Sequence, residues 1–302
     1  MIEVDAAPDS DEQAACPACS SAQARPWGRR DGHEIRECSD CLLLFFRRPI
    51  RFSYDYQEYY PYLADFDRAR FRWEIGIRRP KFVRQLALIK RLAPEASTLL
   101  DVGAGPGYLC AVATELGFKA NGVEPSDAAR RAGEQQFLVS YTQLDDVADE
   151  SLDVITCHHV LEHVEWPTEF LRTLRAKLKP QGLLVLHVPN QQPLSFWLRE
   201  KSWGRRADTF CTLYYPIHIN GFTARSLAHT VERAAFRVVS LSNASMWSMH
   251  YDPFFLANYF RNKRSHALSA LQVAKHAARC AVDVMGNSFG RGDWVIGHFR
   301  AT

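Results

Sequence analysis

The sequence predicts an α/β fold built on an open, doubly wound sheet, and three stretches carry that prediction. The first is Leu99-Leu100-Asp101-Val102-Gly103-Ala104-Gly105-Pro106-Gly107-Tyr108-Leu109, an apolar run that meets a carboxylate, then three glycines at alternating positions, then a helical pattern through Leu116. It reads as strand, tight turn and helix. Glycines let such a turn bend sharply and pass close beneath a ligand, and the following helix aims free N–H groups and its positive dipole end at an anionic group. The second is Lys119-Ala120-Asn121-Gly122-Val123, closed by Glu124-Pro125-Ser126. A carboxylate ending the second strand of such a sheet is placed to accept hydrogen bonds from ribose hydroxyls. The third is Leu152-Asp153-Val154-Ile155-Thr156-Cys157, which leads into His158-His159-Val160-Leu161-Glu162-His163-Val164. The Gly-x-Gly-x-Gly spacing departs from the dinucleotide fingerprint, which wants its third glycine where Tyr108 stands.

This series resembles class I S-adenosylmethionine-dependent methyltransferases, in particular those with a V-L-E-H-V segment after the fourth strand, over roughly residues 80–243. The resemblance implies a Rossmann-like seven-stranded methyltransferase sheet. It also implies a methyl donor with its methionine part over residues 103–107 and its ribose on Glu124. Asp101, Gly103, Ala104, Gly105, Gly107, Glu124, Pro125, Asp145 and His158 are thereby assigned to S-adenosylmethionine. Asp145 matches only loosely the acidic or polar position that the family places near the adenine. The competing reading is a doubly wound domain that binds another nucleotide or none.

Composition sets the bounds. A chain of 302 residues, 47% hydrophobic and 24% charged, suits one large globular domain with an accessory module. No apolar run is long enough to span a bilayer, and no basic-then-apolar leader opens the chain, so a cytoplasmic protein is expected. The net charge of +3 is too small to argue for nucleic acid by itself. Five acids lie among the first twelve residues, whereas residues 68–91 are strongly basic.

Taken in order, residues 1–15 form an acidic, aperiodic tail, expected to be disordered. Residues 16–50 form a small zinc ribbon. Cys16-Pro17-Ala18-Cys19 and Cys38-Ser39-Asp40-Cys41 are separated by 18 residues, the spacing of a four-thiolate site in which two knuckle turns complete a tetrahedron. Four cysteine ligands leave no open position, so the zinc would be structural. Disulfides or plain buried cysteines are the alternatives, and disulfides are disfavoured in a reducing compartment. Cys110, Cys157, Cys211 and Cys280 lie in apolar patterns and read as core. Residues 51–95 form a linker, with a tyrosine-dense stretch at 54–62 and amphipathic helices marked by Phe71, Ile75, Phe82, Leu86 and Ile89. Its arginines present either a phosphate-binding face or a solvated one. Similar sugar and natural-product methyltransferases carry the same order of zinc ribbon, tyrosine-rich linker and catalytic domain, with the linker near the active-site mouth.

Residues 96–302 form the methyltransferase domain. Helices are expected at 107–116, 165–178 and 224–234, with Ser126 and Thr223 as N-caps. A short third strand is expected at 136–141, a fifth at 183–188, and a closing pair at 236–241 and 293–299. A helical insertion at about 245–290 separates that pair; it would cover the active site or mediate dimerisation.

Methyl transfer to a hydroxyl needs a group that removes a proton, and histidine suits that near neutral pH. His158, His159, His163 and His218 are the candidates. The resemblance places the P-x-H segment of His218 near the acceptor pocket and makes His218 the first choice of base. It leaves His163 either catalytic or bracing its loop beside Glu162. His159, Glu162 and His163 stand at i, i+3 and i+4, so on a helical turn they would share a face and could hold a divalent cation. Relatives thought to use a metal there have a carboxylate where His159 stands. The expected function is methylation of oxygen or carbon on a small molecule, such as a sugar, nucleotide-sugar or secondary metabolite. RNA or protein methylation, and a non-catalytic cofactor-fold binder, are the alternatives.

Overall fold

The computed structural model describes residues 15–30, 32–47, 68–203, 212–244, 281–282 and 285–302. The tail at 1–14, the tyrosine-dense stretch at 54–62, Cys211, Cys280 and most of the expected insertion at 245–290 lie outside them.

Strands β4 (Thr98–Val102), β5 (Lys119–Val123), β6 (Ser140–Tyr141), β7 (Leu152–His158), β8 (Leu178–Pro189), β10 (Phe236–Ala244) and β11 (Trp294–Ala301) form one seven-stranded sheet in the order β10-β11-β8-β7-β4-β5-β6. β4 to β8 pair in parallel, while β11 runs antiparallel to β8 and to β10. Helix α1 (Arg68–Leu92) precedes β4, and α2 (Tyr108–Glu115), α3 (Asp127–Phe137), α4 (Pro167–Lys177), α5 (Leu194–Trp203) and α6 (Ala224–Arg233) follow the strands. Apolar positions alternate along the parallel strands and serve both faces. Leu99, Val154, Leu183 and Val185 pack under Phe82, Leu86 and Ile89 of α1 and Leu109 and Val112 of α2. Leu100, Ile155, Leu184 and Leu186 pack under Leu171 and Leu174 of α4 and Leu227 and Val231 of α6.

The caps follow the sequence. The Ser126 hydroxyl accepts from the Ala129 N–H (3.3 Å) at the start of α3. Thr223 and Ser226 form a reciprocal capping box on α6. Three boundaries differ from expectation. The stretch at 136–141 is strand only at Ser140–Tyr141, because α3 runs on to Phe137 and closes on Leu138 in the left-handed region (φ 54). β8 starts at Leu178 instead of residue 183: Leu178 already pairs with Leu152, and a bulge follows before Leu183 meets Val154. The basic stretch is one 25-residue helix that runs through Pro80. No helix among the described residues is long and apolar enough to cross a membrane.

The ribbon consists of β1 (Ala24–Arg30), β2 (His33–Cys38) and β3 (Leu44–Phe46), joined by β9 (Asn220–Gly221) in the order β1-β2-β3-β9. The fourth strand thus comes from the far side of the chain, 174 residues after Phe46 in the sequence. Leu43 and Phe45 share one apolar cluster with Leu171, Phe222 and Leu227. The Thr168 hydroxyl donates to the Ala18 carbonyl (2.5 Å).

Phe45, fully buried in that shared cluster, is therefore a joint for ribbon and sheet together. Phe45→Ala is expected to cost about 3–5 kcal/mol of stability, read by chemical denaturation. A loss below about 0.5 kcal/mol, the size of an ordinary surface change, would show that the ribbon is not part of the common core.

Candidate active site

The turn after β4 and the end of β5 are locked to one another. Gly103 and Ala104 donate their N–H groups to the Val123 carbonyl at 2.8 and 3.0 Å. The Glu124 carboxylate accepts from the Gly105 N–H (2.7 Å, Oε2) and the Ser126 N–H (2.9 Å, Oε1). Gly103 lies at φ 77, and a Cβ there would stand 2.3 Å from Val160 Cγ2; Gly107, also at φ 77, has Val139 and Tyr141 within 2.9 Å of that position. The two positions are glycine for conformation and for space. The Tyr141 hydroxyl donates to the Gly105 carbonyl (3.0 Å) and holds the turn from the other side.

A cavity of about 860 Å³ opens over this turn at the carboxyl ends of the parallel strands. That volume lies toward the upper end of the ~300–1,000 Å³ of ordinary small-molecule sites. Of the residues expected to bind, Gly103, Glu124, Pro125, His158, His163 and His218 line it. Asp101 is buried beneath the turn, where it accepts from the Thr156 hydroxyl (2.6 Å). Ala104, Gly105 and Gly107 form the turn itself, and Asp145 is exposed beside Leu144, which does line the cavity.

His158 stacks on His187 with ring centroids 3.9 Å apart, and its Nε2 lies 2.8 Å from Gln85 Nε2 on α1. Burial pushes both imidazoles well below their usual range, so both are neutral. His159 occupies the left-handed region (φ 55), unusual for a residue with a side chain. Its N–H donates to the His187 carbonyl (2.9 Å), which ties the loop after β7 to β8, and His159 lines the cavity.

Glu162, His163 and His218 converge at the other end. One carboxylate oxygen and a ring nitrogen from each histidine lie within 4.8 Å of one another. Glu162 is 1% exposed, and both its oxygens lack a hydrogen-bond partner among the described residues. His159 Nδ1 approaches one of them at 3.4 Å. Burial opposes the charge of Glu162, but His159, His163 and His218 together hold its carboxyl below the usual range. The set expected from helical spacing was His159, Glu162 and His163. The turn is instead a single 3-10 turn, Leu161–His163, and the third member of the closest group is His218.

Two backbone carbonyls fix the tautomers. His163 Nδ1 lies 2.9 Å from the Ile217 carbonyl and His218 Nδ1 lies 3.1 Å from that of Thr212. A carbonyl only accepts, so both Nδ1 atoms carry a proton, and in a neutral ring the lone pair then lies on Nε2. The rings meet edge to face at 4.7 Å, and Tyr214 lies against His218 at 4.2 Å. Burial pushes His218 down to about 4, against the pull of Glu162. Sequence reasoning missed Arg30, Tyr214 and Trp294 in this cavity. Their signal is weak, since each reaches it from a segment whose placement depends on the ribbon or the closing strand.

Asp101 gives a pH signature. Burial and the nearby Glu124 raise its carboxyl to about 7, despite the Thr156 hydroxyl. The unfolded chain titrates near the ordinary value of about 4, so the folded state binds the extra proton between those values and loses stability as pH rises through them. Asp101→Asn is expected to raise the thermal midpoint of the ligand-free chain more at pH 8 than at pH 4. An equal change at both pH values would contradict the buried, proton-holding carboxyl.

Comparison with known proteins agrees with this architecture. A family model described as a methyltransferase domain matches residues 76–241, more than half the chain. A ubiquinone biosynthesis O-methyltransferase from Xanthomonas axonopodis pv. citri is 34% identical over 118 residues, covering 36% of this chain and 49% of that protein. One from Caulobacter vibrioides is 34% identical over 130 residues, covering 37% and 52%. The chain thus spans about half the length of these relatives. A structure of the Haloferax volcanii Trm112 methyltransferase activator with its methyltransferase shares the fold, at a TM-score of 0.50 and 13% identity over 83% of this chain and 99% of that one. The glycine turn, the Glu124 clamp and the strand order fit the same assignment: the chain belongs to the class I S-adenosylmethionine-dependent methyltransferases.

Proposed function

We propose that the chain methylates a hydroxyl of a small-molecule acceptor, of the sugar, nucleotide-sugar or secondary-metabolite kind, and that His218 takes the hydroxyl proton. The observation that carries the reading is the meeting of Glu162, His163 and His218 in the cavity above the glycine turn. The matched relatives are named ubiquinone biosynthesis O-methyltransferases, which supports oxygen over carbon and a small acceptor over a polymer.

Bound S-adenosylmethionine supplies an electrophilic methyl group on a sulfonium. Glu124 keeps lone pairs beyond its two backbone bonds for the ribose hydroxyls, and the turn at Gly103 lets the ligand approach the main chain. The Thr212 carbonyl holds His218 with Nε2 unprotonated. That Nε2 would accept the hydroxyl proton of the acceptor as its oxygen took the methyl group. Phe170, Phe196 and Trp294 line the walls and reduce water around the reacting atoms. His218→Ala is expected to lower turnover by about two to four orders of magnitude, with S-adenosylhomocysteine affinity unchanged by calorimetry. Near-normal turnover at saturating acceptor would remove His218 from proton transfer.

A second reading draws on the same residues. A buried carboxylate without hydrogen bonds, facing two imidazoles whose Nδ1 atoms donate to carbonyls, is a donor set suited to a divalent cation. Glu162, His163 and His218 would hold it, and the ion would act as a Lewis acid on the acceptor oxygen. Activity abolished by a mild chelator and restored by added magnesium, manganese or zinc would favour this reading; activity indifferent to chelator favours His218 as base.

The ribbon cysteines fit structural zinc. Cys16, Cys19, Cys38 and Cys41 bring four sulfurs within 4.8 Å, with Cys16–Cys41 at 3.6 Å and Cys19–Cys38 at 3.5 Å. A tetrahedral ion with bonds of about 2.3 Å needs sulfurs roughly 3.8 Å apart. None of the four is in a disulfide, as zinc ligation requires. Cys38→Ser is expected to release one zinc per chain and lower the thermal midpoint, because structural zinc contributes directly to folding. Wild-type protein purified without chelator and containing no zinc by elemental analysis would contradict it.

A further inference from the structure

Helix α1 acts on the cavity through Gln85. The amide nitrogen of Gln85 lies 2.8 Å from His158 Nε2. An amide N–H donates and cannot accept, so His158 Nε2 receives the bond on its lone pair. The single proton of the neutral ring then sits on Nδ1. His187 Nδ1 and Gln85 Oε1 are buried without a partner among the described residues, whereas His158 Nδ1 is neither bonded there nor sealed in. Since His158 lines the cavity, its Nδ1–H faces that space. The His158 carbonyl is 4.0 Å from where a Cβ on Gly103 would stand, which puts the residue beside the glycine turn, at the donor end.

The surroundings keep this ring neutral. Burial opposes an imidazolium first, and the Lys81 ammonium adds to it. That ammonium lies over the Trp294 ring at 5.2 Å. Lys81 and Gln85 stand one turn apart on α1, so a single helix face bears on one imidazole. Lys81 works against a second proton, and Gln85 decides where the first one sits. Stability does not account for Gln85, because its own carbonyl oxygen is left buried and unpaired among the described residues and an apolar side chain would avoid that cost.

We propose that Gln85 is a positioning residue of the methyl-donor site: it fixes the tautomer of His158, whose Nδ1–H donates a hydrogen bond to an oxygen of the bound S-adenosyl ligand. This rests on the reading of the cavity as the place that holds the donor. It gives α1, whose arginines drew attention in the sequence, a part in ligand binding through two side chains turned inward.

The test uses the full zinc-loaded chain with isotope-labelled histidine at pH 8. Long-range proton–nitrogen spectra report which ring nitrogen carries the proton, and the His158 signal is identified by its loss in His158→Phe. The wild type is expected to show His158 protonated on Nδ1. Gln85→Glu accepts where glutamine donates, so it should move the proton to Nε2 and weaken S-adenosylhomocysteine about tenfold by calorimetry, although shape and hydrogen bond are kept. Gln85→Met removes the bond without adding charge and should give both tautomers with a smaller loss. In a His158→Phe background neither change at residue 85 should alter affinity further. A wild type protonated on Nε2, unchanged affinity in both Gln85 variants, or the same loss with and without His158 would overturn the proposal. A wild type that takes up no S-adenosylhomocysteine would instead overturn the reading of the cavity as the donor site, whichever tautomer His158 shows.

Discussion

The pairing of Phe45 with Asn220 is the constraint on which the active-site end of the molecule depends. It adds β9 to the ribbon sheet, and the Phe46 N–H continues it by donating to the Ile219 carbonyl (3.3 Å). From the same segment the Ile219 N–H donates to the Glu162 carbonyl (2.9 Å), and the Asn220 amide donates to the Val164 carbonyl (2.6 Å). One short strand therefore fixes the turn that carries Glu162 and His163 against the loop that carries Tyr214 and His218. The ribbon supplies the partner for that strand, and its knuckles close on the four-cysteine cluster. Disturbing the cysteines is thus expected to disturb the Glu162, His163 and His218 cluster at one remove, while Glu124 and the glycine turn, anchored on the sheet, stand apart.

Glu162 shows what such scaffolding achieves. A fully buried carboxylate without hydrogen bonds is costly, and removing its histidine partners would leave the cost uncompensated. Here the cost falls where His159, His163 and His218 gather around the carboxylate. The His159 backbone in the left-handed region is a second local compromise at the same place. The remainder of the sheet obeys ordinary rules, with apolar alternation, matched caps and polar ties such as Asp153, which accepts from Ser97, Thr98 and Lys179 at the opposite edge.

The parts legible in the sequence are those with local periodicity or fixed spacing. The strand-turn-helix at Asp101–Gly107, the carboxylate at Glu124, the antiparallel closing strands and the four cysteines were all readable, because each signal lies within a few residues or in one spacing. Non-local features were not. Nothing in Asn220-Gly221 marks it as a strand of the ribbon, since its partner lies far earlier in the chain. Arg30 reads as one of several arginines until the hairpin is placed beside Tyr215. The i, i+3, i+4 spacing pointed to His159 and His163 as partners of Glu162, and both approach it, at 3.4 and 4.0 Å, but it gave no sign of His218, which joins Glu162 and His163 from another loop. The bulge in β8 was hidden for a related reason: Lys179-Pro180-Gln181-Gly182 looks like a turn before a strand, and only the pairing of Leu178 with Leu152 shows it as part of one.

The central claim is that one cavity holds the donor on Glu124 and the glycine turn and presents the acceptor to His218 beside the ribbon. A crystal structure of the full chain with S-adenosylhomocysteine tests it most directly. The account predicts ribose hydroxyls on the Glu124 carboxylate and the homocysteine sulfur opening toward the space between Tyr214 and His218. Ribose away from Glu124, or a sulfur facing away from a walled-off His218, would contradict it.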